Sequence, residues 1–510
     1  MSEKIKMSVP LNRVEGDLEI RVEIDGGVVS DAWSSGTMFR GFENILVGRG
    51  PLDGLVITPR VCGICGTAHL TAAALALDMI SGAKAPPGAV KVRNLTLMTE
   101  TLQSDIRHGL LMFAADFANP AYKKCSLFRE AVRRYEPFKG ETVIEVIKET
   151  KKVIEIIAIL GGQWPHSSYI VPGGITSMPS TGDLLQCRHF LRRYRSWYEN
   201  QVLGCSLERW LEVKSRSDLD MWLGENDSHR EGDLGFYIRF AREIGLDKIG
   251  KGHGNFISYG SLPLPEDTEI CGPREGGCLV PAGFARGTEV TPFEQERVTE
   301  HVAHSWFEDY DGGKHPFEGE TRPYASGQES KKYSWAKAPR YDGFPAETGP
   351  LAEMIIAEHP LFADLVGRDG PSVFARELAR LVRPAQTIPA MEVWLSELAG
   401  VEHFYASPGI ITDGHGFGLT QATRGALGHW VKIANGRIEH YQIITPTTWH
   451  ASPRDSDEIR GPWEEALVGT TIKDLSDPVE LGHVVRSFDA CLVCTVHTIR
   501  GGRNLARYKL

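Results

Sequence analysis

Apolar and charged residues alternate strictly over 18–24, where Leu18, Ile20, Val22 and Ile24 are separated by Glu19, Arg21 and Glu23. A period of two marks a half-buried strand. Asp25-Gly26-Gly27 then leads into Val28-Val29, which predicts a hairpin. Over 92–117 the spacing becomes helical, with Leu95, Met98, Leu102, Ile106 and Phe113 on one face. A second helix is predicted over 141–160, carrying Val143, Val146, Ile147, Ile154 and Ile157 and stopping at Gly161-Gly162. The pattern predicts a third long helix over 187–211, an Ala- and Leu-rich one over 70–79, and two more over 372–382 and 389–398. A hairpin is expected from 430–433 to 437–443 through Ala434-Asn435-Gly436, because Asn-Gly is a strong turn signal.

Residues 261–350 are rich in Gly, Pro, Tyr and charge, with weak periodicity. A long irregular stretch is usually surface elaboration or part of a site. No repeat or flexible linker divides the chain. The expectation is an α+β fold, richer in helix than in strand, forming one body over residues 1–510.

Composition narrows the function classes. Hydrophobic residues make up 42% and charged residues 24% of the 510, ordinary for a globular chain. The net charge of −10 gives no support for a nucleic-acid groove. The first fifteen residues lack an apolar signal core, and no stretch approaches eighteen uninterrupted apolar residues. The expected location is the cytoplasm, with any membrane contact made through partner subunits.

Nine cysteines, an odd number, argue against a disulfide framework and for a reducing compartment. Four of them form two Cys-x-x-Cys pairs, Cys62/Cys65 and Cys491/Cys494, followed by His69 and His497. The first pair precedes the predicted helix at 70–79, where free N–H groups and the helix dipole favour thiolate. His69 lies four residues beyond Cys65, one helical turn away, within reach of its sulfur. Buried structural cysteine explains the other five better than this duplicated spacing. A thioredoxin-like motif needs one pair in a βαβ context, which is missing.

Structural zinc on four cysteines usually joins pairs about 15–20 residues apart, whereas 426 positions separate Cys65 from Cys491. Closing that loop costs about 5 kcal/mol, against about 10–16 kcal/mol for a structural zinc site. Either metal class is therefore permitted, but a chain this long needs no zinc staple. A catalytic thiolate-bound centre remains, because soft thiolates also select nickel, iron and copper.

The wider sequence resembles the large subunit of the nickel–iron hydrogenases along nearly its whole length. The shared motifs begin with Arg13-Val14-Glu15-Gly16, Arg40-Gly41-Phe42-Glu43 and Arg60-Val61-Cys62-Gly63-Ile64-Cys65-Gly66. They continue with Gly161-Gly162-Gln163-Trp164-Pro165-His166, Lys332-Tyr333-Ser334-Trp335 and Lys337-Ala338-Pro339-Arg340-Tyr341. Arg424-Gly425-Ala426-Leu427-Gly428-His429-Trp430, Pro446-Thr447-Thr448-Trp449, Ser452-Pro453-Arg454-Asp455 and Cys491 to His497 complete the set. Each motif alone is weak; the ordered combination is specific.

The resemblance implies a large single body with a helical core and small peripheral sheets. It implies Cys62 and Cys491 as terminal nickel ligands, with Cys65 and Cys494 bridging to an iron that carries CO and cyanide. His69 would donate to bridging Cys65 from outside the ligand set. Glu43, His497 and a backbone carbonyl near Ile443 would hold a hard divalent ion, usually magnesium. Arg424 is expected over the open side of the metal pair, and Pro446 and Thr447 beside the diatomic ligands. The implied reaction is heterolytic oxidation of H2, with the Cys491 thiolate taking the proton and Glu15 relaying it. The five remaining cysteines lack ferredoxin spacing, so the implied partner is an iron–sulfur small subunit, in a higher oligomer of heterodimers.

Departures from the family pattern are Asp17 for a usual His, Ala490 and Thr423 for usual Pro, and Ser104-Asp105 where an acid then a His is commoner. This set is similar to the actinobacterial-type, high-affinity uptake branch. Residues 498–510 match a C-terminal peptide that family precursors lose after the motif histidine. Within the fold, the related quinone-reducing subunit lacks the four cysteines. A hydrogen sensor and a zinc-bridged scaffold are the remaining alternatives.

Overall fold

The computed structural model describes residues 5–10, 13, 18–273, 277–325 and 331–491. Glu15, Asp17, Cys494, His497 and the tail 498–510 lie outside that set.

The alternating segment forms the strand Leu18–Asp25, with Leu18, Ile20, Val22 and Ile24 buried. It lies between Ile5–Pro10 and Val28–Gly36 in an antiparallel three-stranded sheet. The predicted hairpin forms at Gly26-Gly27, both with positive φ. The Ala-rich segment is α1 (Gly66–Ser81), buried along most of its length. The long helix expected over 92–117 begins earlier, at a Pro in its first turn, as α2 (Pro87–Arg107). It then loosens into a π-helical turn, His108–Phe113, and a 3-10 turn, Ala114–Ala118.

Three further expectations need correction. The helix expected over 141–160 is two, Glu141–Val153 and Glu155–Gly161. The one expected over 187–211 starts sooner, at Thr181 behind a Ser180/Asp183 capping box, and its α-helical part ends at Trp197. A π turn carries the chain to the left-handed Gly204, and Leu207–Trp210 is a separate turn. Conversely, the helices expected over 372–382 and 389–398 are one, α3 (Val373–Glu397), with Pro384 and Pro389 inside it. Proline removes a backbone donor and normally breaks a helix. Here most of the helix is buried, including Arg376, Glu377, Arg380 and Arg383, and tertiary packing overrides local propensity.

The irregular region 261–350 is partly sheet: Asn255–Pro263, Cys278–Arg286 and Glu289–Thr291 pair antiparallel, as do Val298–His301 and Ala338–Tyr341. The C-terminal hairpin is the centre of a three-stranded sheet, β1 (Gly414–Ala422), β2 (Gly425–Ala434) and β3 (Arg437–Ile444). Asn435 and Gly436 both have positive φ, as a type I′ turn requires. The strand β1 lies directly on α1. A Cβ at Gly416 or Gly418 would stand 2.7 Å or 1.8 Å from the carbonyl oxygens of Ala76 or Ala72, so only glycine allows this approach. The result is the expected helix-rich α+β body with small sheets around its helices.

Candidate metal centre

The N-terminal cysteine pair is held by the start of α1. The 3-10 turn Thr58–Arg60 leads into the pair, and Cys65 is the N-cap residue of α1. The first-turn N–H groups of a helix need acceptors. Here Glu100 of α2 accepts from Thr67 N at 2.9 Å and Ala68 N at 3.3 Å. Burial pushes the Glu100 carboxyl up to about 8, against the opposing effect of these N–H groups. A neutral, proton-bearing carboxyl therefore fastens the loop of Cys62 and Cys65 to α2.

The two ends of the chain meet at this point. Cys62 Sγ lies 3.5 Å from Cys491 Sγ, and Cys62, Cys65 and Cys491 are all buried. The Cys491 N–H donates to the Thr447 hydroxyl at 3.2 Å. Thr447 belongs to the short helix Pro446–His450, whose N-cap is Thr445 and whose first residue is Pro446. Both residues expected near the diatomic ligands thus sit beside the cysteine segment.

Arg424 occupies the two-residue turn between β1 and β2. It is fully buried, which by itself opposes its charge. Asp489 and then the thiols of Cys491, Cys62 and Cys65 outweigh that penalty and hold the guanidinium firmly protonated. Its Nε donates to Asp489 Oδ1 at 2.9 Å. Asp489 in turn lies 3.0 Å from His108 Nδ1 and 3.3 Å from Arg380 Nη1. These three cations keep its carboxyl far below the usual range although burial pushes the other way. The preceding Thr423 carbonyl accepts from Arg383 Nη2 at 2.6 Å. Arg383 also clamps Asp105 (2.7 and 2.8 Å) and Glu353 (2.8 and 2.9 Å). Two of the sequence departures, Asp105 and Thr423, are therefore joined by one guanidinium.

His69 is buried and its Nδ1 faces His429 Nε2 at 3.1 Å, while its Nε2 has no hydrogen-bond partner. The expected bond to Cys65 is not made. Burial lowers the pKa of the ring to about 4, and the nearby Cys62 thiol is the largest opposing influence.

Glu43 lies beside Ile443, accepting from the Ile443 N–H at 2.9 Å. Its other oxygen accepts from the Thr321 hydroxyl. Lys337 Nζ lies 3.9 Å from Glu43 and 3.8 Å from Glu300, whose pKa burial raises to about 7. Gln442 donates to Glu300 at 2.7 Å, leaving its own buried Oε1 without a partner. An orphaned amide oxygen beside carboxylates fits a hard, water-carrying cation, as three buried thiols and an orphaned imidazole N fit a soft metal.

Sequence reasoning missed Glu100, Arg383, Asp489, His429 and Tyr441 as parts of this site. His429 was inside a recognised motif and Asp489 two residues before one, so their positions carried a signal; Glu100 and Arg383 lie on helices where a charge reads as solvated.

Comparisons with known proteins agree with the geometry. The family described as nickel-dependent hydrogenase matches residues 40–124 and 238–497. The chain is 32% identical to the periplasmic NiFeSe hydrogenase large subunit of Desulfomicrobium baculatum, over 97% of this chain and 95% of that one. It is 28% identical to the uptake hydrogenase large subunit of Rhodobacter capsulatus, over 96% and 94% respectively. The solved Ni-Fe-Se hydrogenase of D. vulgaris Hildenborough superposes with a TM-score of 0.81 at 30% identity, over 98% of this chain and all of that one.

Proposed function

The chain belongs to the nickel-dependent hydrogenase family, and from that premise we propose that it oxidises H2 as the large subunit of an uptake hydrogenase. It is an oxidoreductase acting on H2 at a nickel–iron active site. The observation that carries the metal-centre reading is the convergence of Cys62, Cys65 and Cys491 near a guanidinium that Asp489 holds in place.

In this reading Cys62, Cys65, Cys491 and Cys494 would hold the nickel–iron centre, Cys62 and Cys491 as ligands to nickel and Cys65 and Cys494 as ligands to both metals, with CO and cyanide on the iron. The centre supplies heterolytic cleavage of H2. Arg424, unable to lose its proton, presents donors over the thiol pocket and keeps a positive charge in a water-poor site. Pro446 and Thr447 wall the side facing the diatomic ligands. Cys491 Sγ would accept the released proton and the Glu15 carboxylate would carry it outward, a relay that requires hydrogen-bond reach, direct or through one water. Glu43, the Ile443 carbonyl and His497 hold magnesium. Electrons leave through an iron–sulfur small subunit in a higher oligomer of heterodimers. The departures at 17, 104, 105, 423 and 490 support the reading that the chain belongs to the actinobacterial-type uptake branch. Among the described residues no helix is long and apolar enough to cross a membrane, in keeping with cytoplasmic residence and membrane contact only through partners.

Metal analysis with infrared spectroscopy tests this. Nickel and iron together with CO and cyanide bands, and sustained H2-dependent dye reduction by the complex, are expected. Zinc without those bands would establish a scaffold, and an intact centre with only trace turnover would establish a sensor.

A further inference from the structure

The buried hydrogen bond between His69 and His429 does not end there. His429 Nδ1 meets the Tyr441 hydroxyl at 2.9 Å. His69 lies on α1, His429 on β2 and Tyr441 on β3. His429 pairs across the sheet with Ile443, so Tyr441 is its diagonal neighbour on the same face. All three side chains are buried, at 1%, 0% and 4% exposure. Among the described residues, none of their side chains makes a further hydrogen bond. The three therefore form a closed line from Tyr441 to His69, whose Nε2 is left without a partner.

Such a line has two possible proton arrangements. In one, the Tyr441 O–H donates to His429 Nδ1, His429 Nε2–H donates to His69 Nδ1, and His69 presents Nε2–H to the thiols. In the other, every proton is reversed. The Tyr441 O–H then points into a buried space with no acceptor, and His69 turns a bare lone pair toward sulfur. Leaving a buried hydroxyl proton unsatisfied biases the equilibrium by about 5- to 150-fold. Thiolates bound to a metal cannot donate, so the pocket end of the line prefers the same arrangement. In either arrangement each ring carries one proton, because each of the two bonds holds one, so both rings are neutral.

We infer that Tyr441, acting through His429, is a positioning residue that fixes His69 in its Nε2–H tautomer. The tautomer part of this inference needs only the protein; its consequence at the centre rests on the proposed thiolate site. An N–H aimed at a ligating sulfur draws electron density from it, and so tunes the metals without touching them.

The test is long-range 15N–1H correlation NMR on the full-length chain with labelled histidine, metal-free and nickel-loaded, paired with infrared spectra of the loaded complex. Tyr441→Phe removes only the hydroxyl. In the wild type, His69 and His429 are both expected in the Nε2–H form by about tenfold or more. In metal-free Tyr441→Phe, where either arrangement leaves His429 Nδ1 without a partner, the ratio is expected to fall within about threefold of unity. In the loaded variant the CO band is expected to move to lower wavenumber, as sulfur regains electron density. An Nδ1–H wild-type His69 would overturn the inference without any variant. So would a tautomer ratio unchanged by Tyr441→Phe, or a CO band that stays in place. Absence of nickel and CO from the wild type would instead count against the proposed function, leaving the tautomer measurement to stand by itself.

Discussion

Replacing Arg383 by Met should destabilise the protein by a predictable amount, because this side chain closes a buried ionic frame. Its guanidinium makes two contacts to Asp105, two to Glu353 and one to the Thr423 carbonyl, all between 2.6 and 2.9 Å. Met fills similar volume but pairs with none of them. Breaking a buried pair from one side typically costs about 3–5 kcal/mol, since a charge is left uncompensated. Arg380, 3.8 Å from Asp105, softens the loss without replacing two direct bonds. For 510 residues, an unfolding entropy of about 2.1 cal/mol/K per residue gives about 1 kcal/mol/K, so Tm should fall by about 3–5 °C. Differential scanning calorimetry of the purified protein measures this. Adding Asp105→Asn to Arg383→Met should cost little more, because that carboxylate is already unpaired, giving a coupling of at least about 1 kcal/mol. A Tm within about 1 °C of wild type, or strictly additive single and double variants, would refute the frame. Nickel content should be unchanged, since no proposed ligand is touched, while turnover falls as the Thr423–Arg424 turn loses its anchor.

Glu15→Gln should leave nickel and iron content intact and nearly abolish H2 oxidation, while sparing ortho–para hydrogen exchange; wild-type turnover in fully metallated protein would remove Glu15 from the mechanism. Glu43→Gln should lower the magnesium content measured by elemental analysis and leave nickel bound. Glu464, buried between Ser34 and Tyr333, has its pKa raised to about 7 by burial, so it favours folding when protonated. That contribution is complete below about pH 4.5 and is lost as pH rises through about 7, a change of about 3 kcal/mol. Glu464→Gln should therefore gain about 3 °C in Tm relative to wild type between pH 5 and pH 8, read by thermal melts. Intact mass of nickel-loaded enzyme should end at His497; a mass that includes Leu510 would show that the tail is kept.

What was legible in the chain was what repeats at short range. The alternation of Leu18 to Ile24, the Asn435-Gly436 turn and the Ala-rich run before Ser81 each express a local rule, and each appears as expected. The cysteine pairs were legible because identical spacing at two distant places is improbable by chance. The strand β1 was not, because its inward positions are glycines rather than apolar side chains, chosen for the approach to Ala72 and Ala76. The continuity of α3 was hidden by Pro384 and Pro389, whose local meaning is a break. Buried charge was the largest blind spot. Arg380, Arg383, Glu377 and Asp105 look like a solvated helix face and lie inside the protein, where only partners from remote segments make them tolerable.

The two halves of the cysteine site are secured by different physics. Cys62 and Cys65 belong to a helix start, and Glu100 satisfies that start with a neutral carboxyl at ordinary pH. Their placement follows once α1 packs on α2. Cys491 lies beyond the helix Val479–Ser487, and no helix cap holds it. Its position comes from Asp489, two residues earlier, tied to Arg424, Arg380 and His108. Those three cations come from three separate places: the β1–β2 turn, α3 and the π turn after α2. Arg380 and His108 also lie near Glu377 of α3, but only the carboxylate of Asp489 joins all three cations. The thiol pocket is thus completed by charge pairing across the whole body, which makes Asp489 the joint through which the distant end of the chain meets the metal-binding loop.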